Sequence, residues 1–254
     1  MRLSIRESRA ALIEAGCTAL LEARNDWGLG YISFADAIEL SGVPRASAYR
    51  AFSNSDADPQ EAFRLAVLME TIGRTLVDTS VVTEVLASID SSLYGTDADG
   101  RAAELREVIR QSSQRSFDSN FASPHLRAVE ACRAVVSLST NPNPQILEAV
   151  QQSLQRSQDE FRPYFEALRG AYGVRPKSWI TLDQFQSIVI AAAGMAVVEW
   201  ESTPDARSFM RPTGPEGQLQ EWSLLGLIIE GICITTFETD PAATGGANLA
   251  SWLQ

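Results

Sequence analysis

Residues 32–52 read ISFADAIELSGVPRASAYRAF, and their spacing predicts two short helices joined by a tight turn. Four residues of the first helix are spaced i, i+3, i+4 and i+7 and therefore lie on one helical face: Phe34, Ala37, Ile38 and Ser41. Gly42 supplies the turn, because glycine enters the left-handed region without a Cβ clash. Pro44 suits the first position of the second helix, where no N–H is needed.

The second of these helices separates into two sides. Its packing side consists of Ala48, Ala51 and Phe52, and Val43 is expected to pack beneath both helices. The other side is small and basic and consists of Arg45, Ala46, Tyr49 and Arg50. A helix of this shape fits the major groove of DNA, which is about 12 Å wide. The pattern indicates a DNA recognition helix, and solvated surface arginines are the alternative interpretation.

The composition is that of an ordinary folded protein, with 254 residues, 45% apolar and 21% charged. The N-terminus has no apolar segment of a signal peptide, and the most apolar run, 224–237, is shorter than the ~20 residues of a membrane span. We therefore expect no membrane partner. Cys17, Cys132 and Cys233 show neither metal nor disulfide spacing, which indicates a cytoplasmic protein.

The net charge of −11 is unusual for a DNA-binding protein, so its distribution matters. Residues 1–55 carry six arginines and six acidic residues and are therefore neutral. All of the excess acidity lies in the remainder of the chain. This distribution permits DNA binding through the N-terminal segment without requiring it.

The hydrophobic pattern of the rest of the chain predicts helices and shows no alternation typical of β-strands. The predicted fold class is therefore all-α. A first helix covers residues 5–24, and a long connecting helix runs from Pro59 to residue 78. Further helices are predicted at 81–93, 99–117, 124–138, 145–172, 182–200 and 219–237, with loops at 173–178 and 203–217. Pro163 is expected to kink or divide the helix at 145–172.

This order of elements predicts two domains and a tail. Residues 1–56 form a three-helix domain with the helix-turn-helix, residues 57–240 form a larger helical domain, and residues 241–254 form a flexible tail. Dimerisation is assigned to the larger domain from its last two helices, and its role in effector binding is implied by the family resemblance that is described next.

Five positions resemble the signature of the TetR/AcrR family of transcriptional regulators. In that family a Gly-Val turn precedes a helix with Ser or Thr, then Tyr, then Phe, and the matching residues here are Gly42, Val43, Ser47, Tyr49 and Phe52. The resemblance covers about the first fifth of the chain. It implies a dimeric repressor that binds a palindromic operator in double-stranded DNA and is released by a small-molecule effector, with no cofactor and no enzymatic activity.

One departure from the family concerns the residues after Phe52. The family usually places a lysine there to hold a phosphate, whereas residues 53–58 contain no lysine and include Asp56 and Asp58. Fewer phosphate contacts lower DNA affinity irrespective of sequence. The alternative function is therefore a helical interaction protein of the same fold with weak or lost DNA binding.

The candidate DNA contacts have different expected roles. Arg45 and Arg50 are expected at base edges or phosphates, beside the small Ala46. The resemblance implies that Tyr49 binds a phosphate. Ser47 and Ser33 are candidate phosphate donors, although helix capping is the favoured role for Ser33. Arg2, Arg6 and Arg9 are candidates for an arm or a backbone contact, with plain surface arginines as the alternative.

The last two helices are expected to form a homodimer. The first has small residues that allow close helix approach, and the second is apolar around almost its whole circumference. The candidate interface comprises Ala192, Ala196, Leu225, Ile228, Ile229 and Ile232. A buried monomer core is the alternative.

The resemblance also implies an effector pocket in the helical body. Its candidate residues are Phe117, Phe121, His125, Glu130, Cys132, Phe161, Tyr164, Phe165, Trp179, Phe185 and Trp200. Aromatic residues at helical spacing are more often core than ligand contacts. His125 is the only histidine, and the chain lacks a convergent nucleophile, base and orienter, so an enzyme is a weak hypothesis.

Overall fold

Helices dominate the part of the chain that the structure describes. The computed structural model describes residues 3–22, 33–53, 58–74, 80–118, 130, 143–202 and 208–248. Over these residues the predicted all-α class is confirmed, with two short two-stranded ladders in addition. None of the described helices is both long and apolar enough to cross a membrane. The chain divides into two compact units, which we call unit 1 (1–76 and 123–153) and unit 2 (77–122 and 154–254).

The described part of residues 1–76 contains four helices, three of which begin at a capping side chain, Ser4, Ser33 or Asp58, whereas the third helix in chain order begins after Pro44. They are α1 (Ile5–Glu22), α2 (Phe34–Ser41), α3 (Arg45–Phe52) and α4 (Pro59–Gly73). At the start of α1, the Ser4 N–H donates to the Glu7 carboxylate at 2.7 Å, and the Glu7 N–H donates to the Ser4 hydroxyl at 3.2 Å. The hydrogen bond from the Ser4 backbone holds the pKa of Glu7 below its ordinary value.

The core of unit 1 is built around three phenylalanine rings, which we call the Phe34/Phe52/Phe63 cluster. The ring centroids are 5.7 Å apart for Phe34 and Phe52, 4.9 Å for Phe34 and Phe63, and 5.6 Å for Phe52 and Phe63. All three side chains are buried. Because each ring comes from a different helix, the cluster joins α2, α3 and α4.

Unit 2 is formed by helices around a second core. Its helices are α5 (Ser80–Ser88), α6 (Ala98–Ser116), α8 (Leu182–Ser202) and α9 (Leu224–Thr236), and the division between the units falls within α7 (Pro144–Tyr172). The fully buried Trp222 donates its indole N–H to the Thr213 hydroxyl at 2.6 Å. Phe185 packs edge-on against Phe237, with centroids 4.7 Å apart.

Within the described residues, four short strands correct the prediction that the chain contains only helices and loops. Strand β1 (Val174–Pro176) pairs with β4 (Phe237–Thr239), and β2 (Ser208–Pro212) pairs with β3 (Leu219–Ser223), both antiparallel. The helix predicted at 219–237 is wrong at both ends, because 219–223 and 237 are strand. The final helix begins only where the Ser223 hydroxyl accepts from the Gly226 N–H at 3.0 Å.

Other helix ends also differ from the prediction. The helix predicted at 81–93 ends at Ser88 and is followed by a 3₁₀ turn, Ser91–Leu93. Pro163 does not divide α7, and it is exposed, so water can reach the carbonyl that it leaves without a helical donor. The helix predicted at 59–78 is observed to Gly73. The helix predicted at 124–138 lies outside the described residues except for residue 130, which is helical.

Residues 241–248, predicted as the start of a flexible tail, make defined contacts. The Ala247 N–H donates to the Tyr172 carbonyl at 2.7 Å, and Ala247 is fully buried. The Asn248 side chain donates to Asp99 at 2.8 Å. The rest of the predicted tail lies outside the described residues, and the domain boundaries stay predictions.

Candidate nucleic-acid interface

The turn between α2 and α3 follows the sequence prediction closely. The Ser33 hydroxyl accepts from the Asp36 N–H at 3.2 Å, which confirms the predicted cap of α2. Gly42 ends α2 with a φ of 64°, and its N–H donates to the Glu39 carbonyl at 3.3 Å. Val43 is buried beneath the turn. The turn therefore directs the chain from α2 into α3.

Gly42→Ala is expected to destabilise unit 1 by about 1 kcal/mol, because a residue with a Cβ is strained in the left-handed region. Urea unfolding of the full chain measures the change. Gly73→Ala is the matched control, since Gly73 ends α4 with ordinary helical geometry and open space at the Cβ position. A Gly42→Ala variant as stable as this control would contradict the expectation.

Helix α3 presents one buried and one exposed side, as its sequence predicts. Ala48, Ala51 and Phe52 are buried. The predicted DNA-contacting residues lie elsewhere on the helix: Arg45, Ala46 and Arg50 are exposed, and Ser47 and Tyr49 are half-buried. The backbone thus brings these five candidates together on eight residues, and Ser33 lies apart from them, half-buried at the start of α2.

Tyr49 has a packing role in addition to any contact of its hydroxyl. Its ring meets the Phe34 ring edge-on, with centroids 5.2 Å apart. The Arg45 guanidinium carbon lies 5.8 Å from the centroid of the Tyr49 ring. Tyr49 therefore braces α3 against α2 and also supports the exposed side chain of Arg45.

The C-terminal end of α3 is held by two side chains. The Ser53 hydroxyl donates to the Arg50 carbonyl at 3.1 Å. Arg9 of α1 donates from Nη1 to the Ala51 carbonyl at 3.2 Å, and its guanidinium carbon lies 4.4 Å from the centroid of the Phe52 ring. Sequence reasoning placed Arg9 only among candidates for an arm or a backbone contact with DNA, because no local pattern indicates a contact 42 residues away.

Acidic residues flank the basic side of α3 in the sequence. Asp36 and Glu39 of α2 are exposed. The Asp58 carboxylate accepts from the Gln60 N–H at 3.1 Å and so caps α4. A carboxylate at the positive end of a helix stabilises the helix, but it also repels a phosphate there. In the region where the TetR/AcrR family usually has a lysine, this chain therefore has a helix-capping aspartate, Asp58.

Helix α4 is fixed against α1 by side-chain contacts. Arg74, at the end of α4, forms ion pairs with Glu14 at 2.6 Å and Glu70 at 2.9 Å, and the hydrogen bond to Glu14 raises the pKa of Arg74. The Thr71 hydroxyl lies 3.5 Å from the Cys17 sulfur. Burial raises the pKa of the Cys17 thiol, so it stays protonated at neutral pH. Because Cys17 and Thr71 are both buried where α1 meets α4, a motion of α4 is expected to carry α1 with it.

The structure brings together only some of the candidate effector residues. The centroid of Phe165 lies 6.1 Å from that of Phe161, 5.3 Å from that of Tyr164 and 5.1 Å from that of Phe185. We call these four rings the Phe165 cluster. Burial raises the pKa of Tyr164, which keeps its hydroxyl neutral.

The other effector candidates are dispersed or not described. Phe117 is buried, Trp179 is 61% exposed, and Glu130 is half-buried. Phe121, His125, Cys132 and the side chain of Trp200 lie outside the described residues. Trp179 thus faces solvent in this chain.

The candidate dimer residues lie on α8 and α9 with different degrees of burial. Ala196 and Leu225 are buried within unit 2, and Ala192, Ile228, Ile229 and Ile232 are half-buried. Two larger apolar residues of α8 that sequence reasoning omitted are more exposed, Ile188 at 42% and Met195 at 70%. Ile188, Ala192 and Met195 are spaced i, i+4 and i+7, so the sequence pattern could have predicted that they share one face of α8.

Known proteins resemble this chain in structure rather than in sequence. No protein-family model matches the chain, and no curated protein matches it in sequence. One similar solved structure is described as that of "a putative transcriptional regulator from Rhodococcus sp. RHA1". That match has a TM-score of 0.48 and 11% sequence identity and covers 88% of this chain and 92% of the other. A match with this score and identity assigns no function to this chain.

Proposed function

We propose that this chain is a dimeric, ligand-responsive transcriptional repressor of the cytoplasm, which binds a palindromic operator in double-stranded DNA through α2 and α3. One observation carries the proposal. On α3 the side chains of Arg45 and Arg50 are exposed together with the small Ala46, whereas Ala48 and Phe52 are buried on the other side.

The dimensions of α3 support this role. Eight residues make a helix about 12 Å long, which fits within the major groove. In the proposed complex Arg45 and Arg50 read base edges, and Ser47, Tyr49 and Ser33 bind phosphates. Arginine pairs with guanine through two parallel hydrogen bonds, so these two residues would contribute most of the sequence preference.

A homodimer through α8 and α9 would present two copies of α3. Ile188 and Met195 of α8 are exposed apolar side chains that a partner helix would bury. Two-fold symmetry then matches two half-sites about 34–36 Å apart or a multiple of that distance. Sedimentation of the full chain should give the dimer mass.

The effector is proposed to bind beside the Phe165 cluster of unit 2 and to weaken operator binding. Ligand and DNA would each favour a different separation of the two recognition helices, which makes their binding mutually antagonistic. Because Cys17 of α1 and Thr71 of α4 are buried in contact with each other, a shift of α4 would move α1 with it.

Replacing Arg45 or Arg50 by alanine is expected to weaken specific DNA binding by about 1–3 kcal/mol each. The test uses a duplex that the wild-type chain selects from a pool of random sequences, with affinity measured over a range of salt concentrations. Arg156→Ala, an exposed arginine of unit 2, is the matched control. Selection of no duplex, or equal affinities for all four proteins, would contradict the proposed function.

The alternative function is a helical interaction protein with weak or lost DNA binding. The exposed Asp36 and Glu39, the Asp58 cap of α4 and the net charge of −11 favour it. The same selection separates the two functions, because this alternative predicts that no sequence is enriched and that no salt-sensitive complex forms.

A further inference from the structure

Arg9 lies where α1 meets the C-terminal end of α3. Its Nη1 donates to the Ala51 carbonyl at 3.2 Å, and its guanidinium carbon lies 4.4 Å from the Phe52 ring centroid. Ala51 and Phe52 are the last two residues of α3. One side chain of α1 therefore holds both a terminal carbonyl and a core ring of the helix.

Helix α3 depends on such contacts for its orientation. A helix of eight residues is not stable by itself in water, so packing determines how it lies. Two of its three buried side chains are the alanines Ala48 and Ala51, and their small methyl groups do little to prevent the helix from rotating about its axis. The last carbonyls of a helix lack helical donors and form the negative end of its dipole, where a cation is stabilising.

We propose that Arg9 is a positioning residue for DNA recognition, which sets the angle at which α3 presents Arg45 and Arg50 without contacting DNA itself. The inference rests on the proposed function. Arg9 is exposed overall, but its Nη1 donates to the Ala51 carbonyl and its guanidinium lies over the Phe52 ring, which fixes the side chain against the protein.

This role has a consequence that direct phosphate binding does not share. A misdirected α3 loses its contacts to base edges, which require correct geometry. Non-specific attraction to phosphates depends mainly on the number of cations at the DNA, so it stays nearly the same. Loss of Arg9 should therefore lower the ratio of specific to non-specific affinity.

The experiment compares full-length Arg9→Ala, Arg9→Lys and Arg50→Ala variants with the wild-type chain. The probes are the duplex that the wild-type chain selects from random sequences and a shuffled duplex of equal composition. Arg9→Ala is expected to bind the selected duplex about tenfold more weakly, the loss expected when one contact to a base edge is misaligned. Its binding to the shuffled duplex and its salt dependence should stay unchanged. Arg9→Lys, which can still donate to the carbonyl and lie over the ring, should recover most of the affinity.

Two results would overturn the role of Arg9. The first is an equal loss on both duplexes with a reduced salt dependence, which is the behaviour of a direct phosphate contact. Arg50→Ala serves as the reference for a lost base contact, whose loss of affinity is confined to the selected duplex. The second is unchanged affinity for the selected duplex. If circular dichroism shows that Arg9→Ala is unfolded, Arg9→Gln, which keeps a donor for the Ala51 carbonyl, is compared with Arg9→Lys by the same criteria. If the wild-type chain selects no duplex, the proposed function itself fails and the inference fails with it.

Discussion

Glu230→Ala is expected to lower the free energy of unfolding of unit 2 by about 1–3 kcal/mol, because it removes a buried carboxylate that accepts from two partly exposed arginines. The Glu230 side chain is 5% exposed and accepts from Arg106 at 2.9 Å and from Arg211. The Arg211 guanidinium also lies over the buried Trp222 ring, 4.8 Å from its centroid. The Glu230 carboxylate thus joins α6, β2 and α9 through two partly exposed arginines.

Glu238→Ala is the matched control for this change. Glu238 also pairs with an arginine, Arg175, at 2.9 Å, but both side chains are more than 40% exposed. An exposed pair contributes only about 0–1 kcal/mol, so this variant should unfold nearly like the wild-type chain. Urea unfolding followed by tryptophan fluorescence measures both variants. Similar losses for Glu230→Ala and Glu238→Ala would show that burial of the first pair is unimportant.

Phe52→Ala is expected to destabilise unit 1 by about 3–5 kcal/mol and to abolish specific DNA binding. The substitution removes one ring from the Phe34/Phe52/Phe63 cluster, where each centroid lies within 6 Å of the other two. It also removes the ring beneath Arg9. A cavity at this position separates α3 from α2 and α4, so the recognition helix loses its support.

Leu40→Ala provides the comparison for unit 1. Leu40 of α2 is 61% exposed, and an exposed substitution usually changes stability by no more than about 0.5 kcal/mol. Thermal unfolding measures stability, and the selected duplex measures DNA binding. The role assigned to the cluster would be wrong if Phe52→Ala unfolded at the same temperature as Leu40→Ala.

The local structure of the candidate interface could be predicted from short sequence patterns. The Ser33 cap, the left-handed Gly42 and the burial of Val43, Ala48 and Phe52 all follow the prediction from residues 32–52. Each depends on neighbours within a few positions, so the sequence contains the information directly. The register of the whole helix-turn-helix was predictable for this reason.

Strands and buried charges were not predictable in the same way. β2 and β3 have five residues each, and their ladder pairs Phe209 with Trp222 across the loop between them. Leu219 is exposed although it is apolar, so the strand lacks the alternation that would identify it. No local pattern indicates the partners of Glu230, because they lie 124 and 19 residues away in the sequence.

The amino-acid order alone therefore determined that this chain is all-α and that a short helix with Arg45 and Arg50 on one side follows a glycine turn. Only the tertiary structure decided that Arg9 holds the end of that helix, that residues 219–223 form a strand and that Glu230 is buried between two arginines. The physical reason is the range of the interactions. Helix periodicity, caps and turns act over a few residues, whereas these other features require contacts between segments that are distant in the chain.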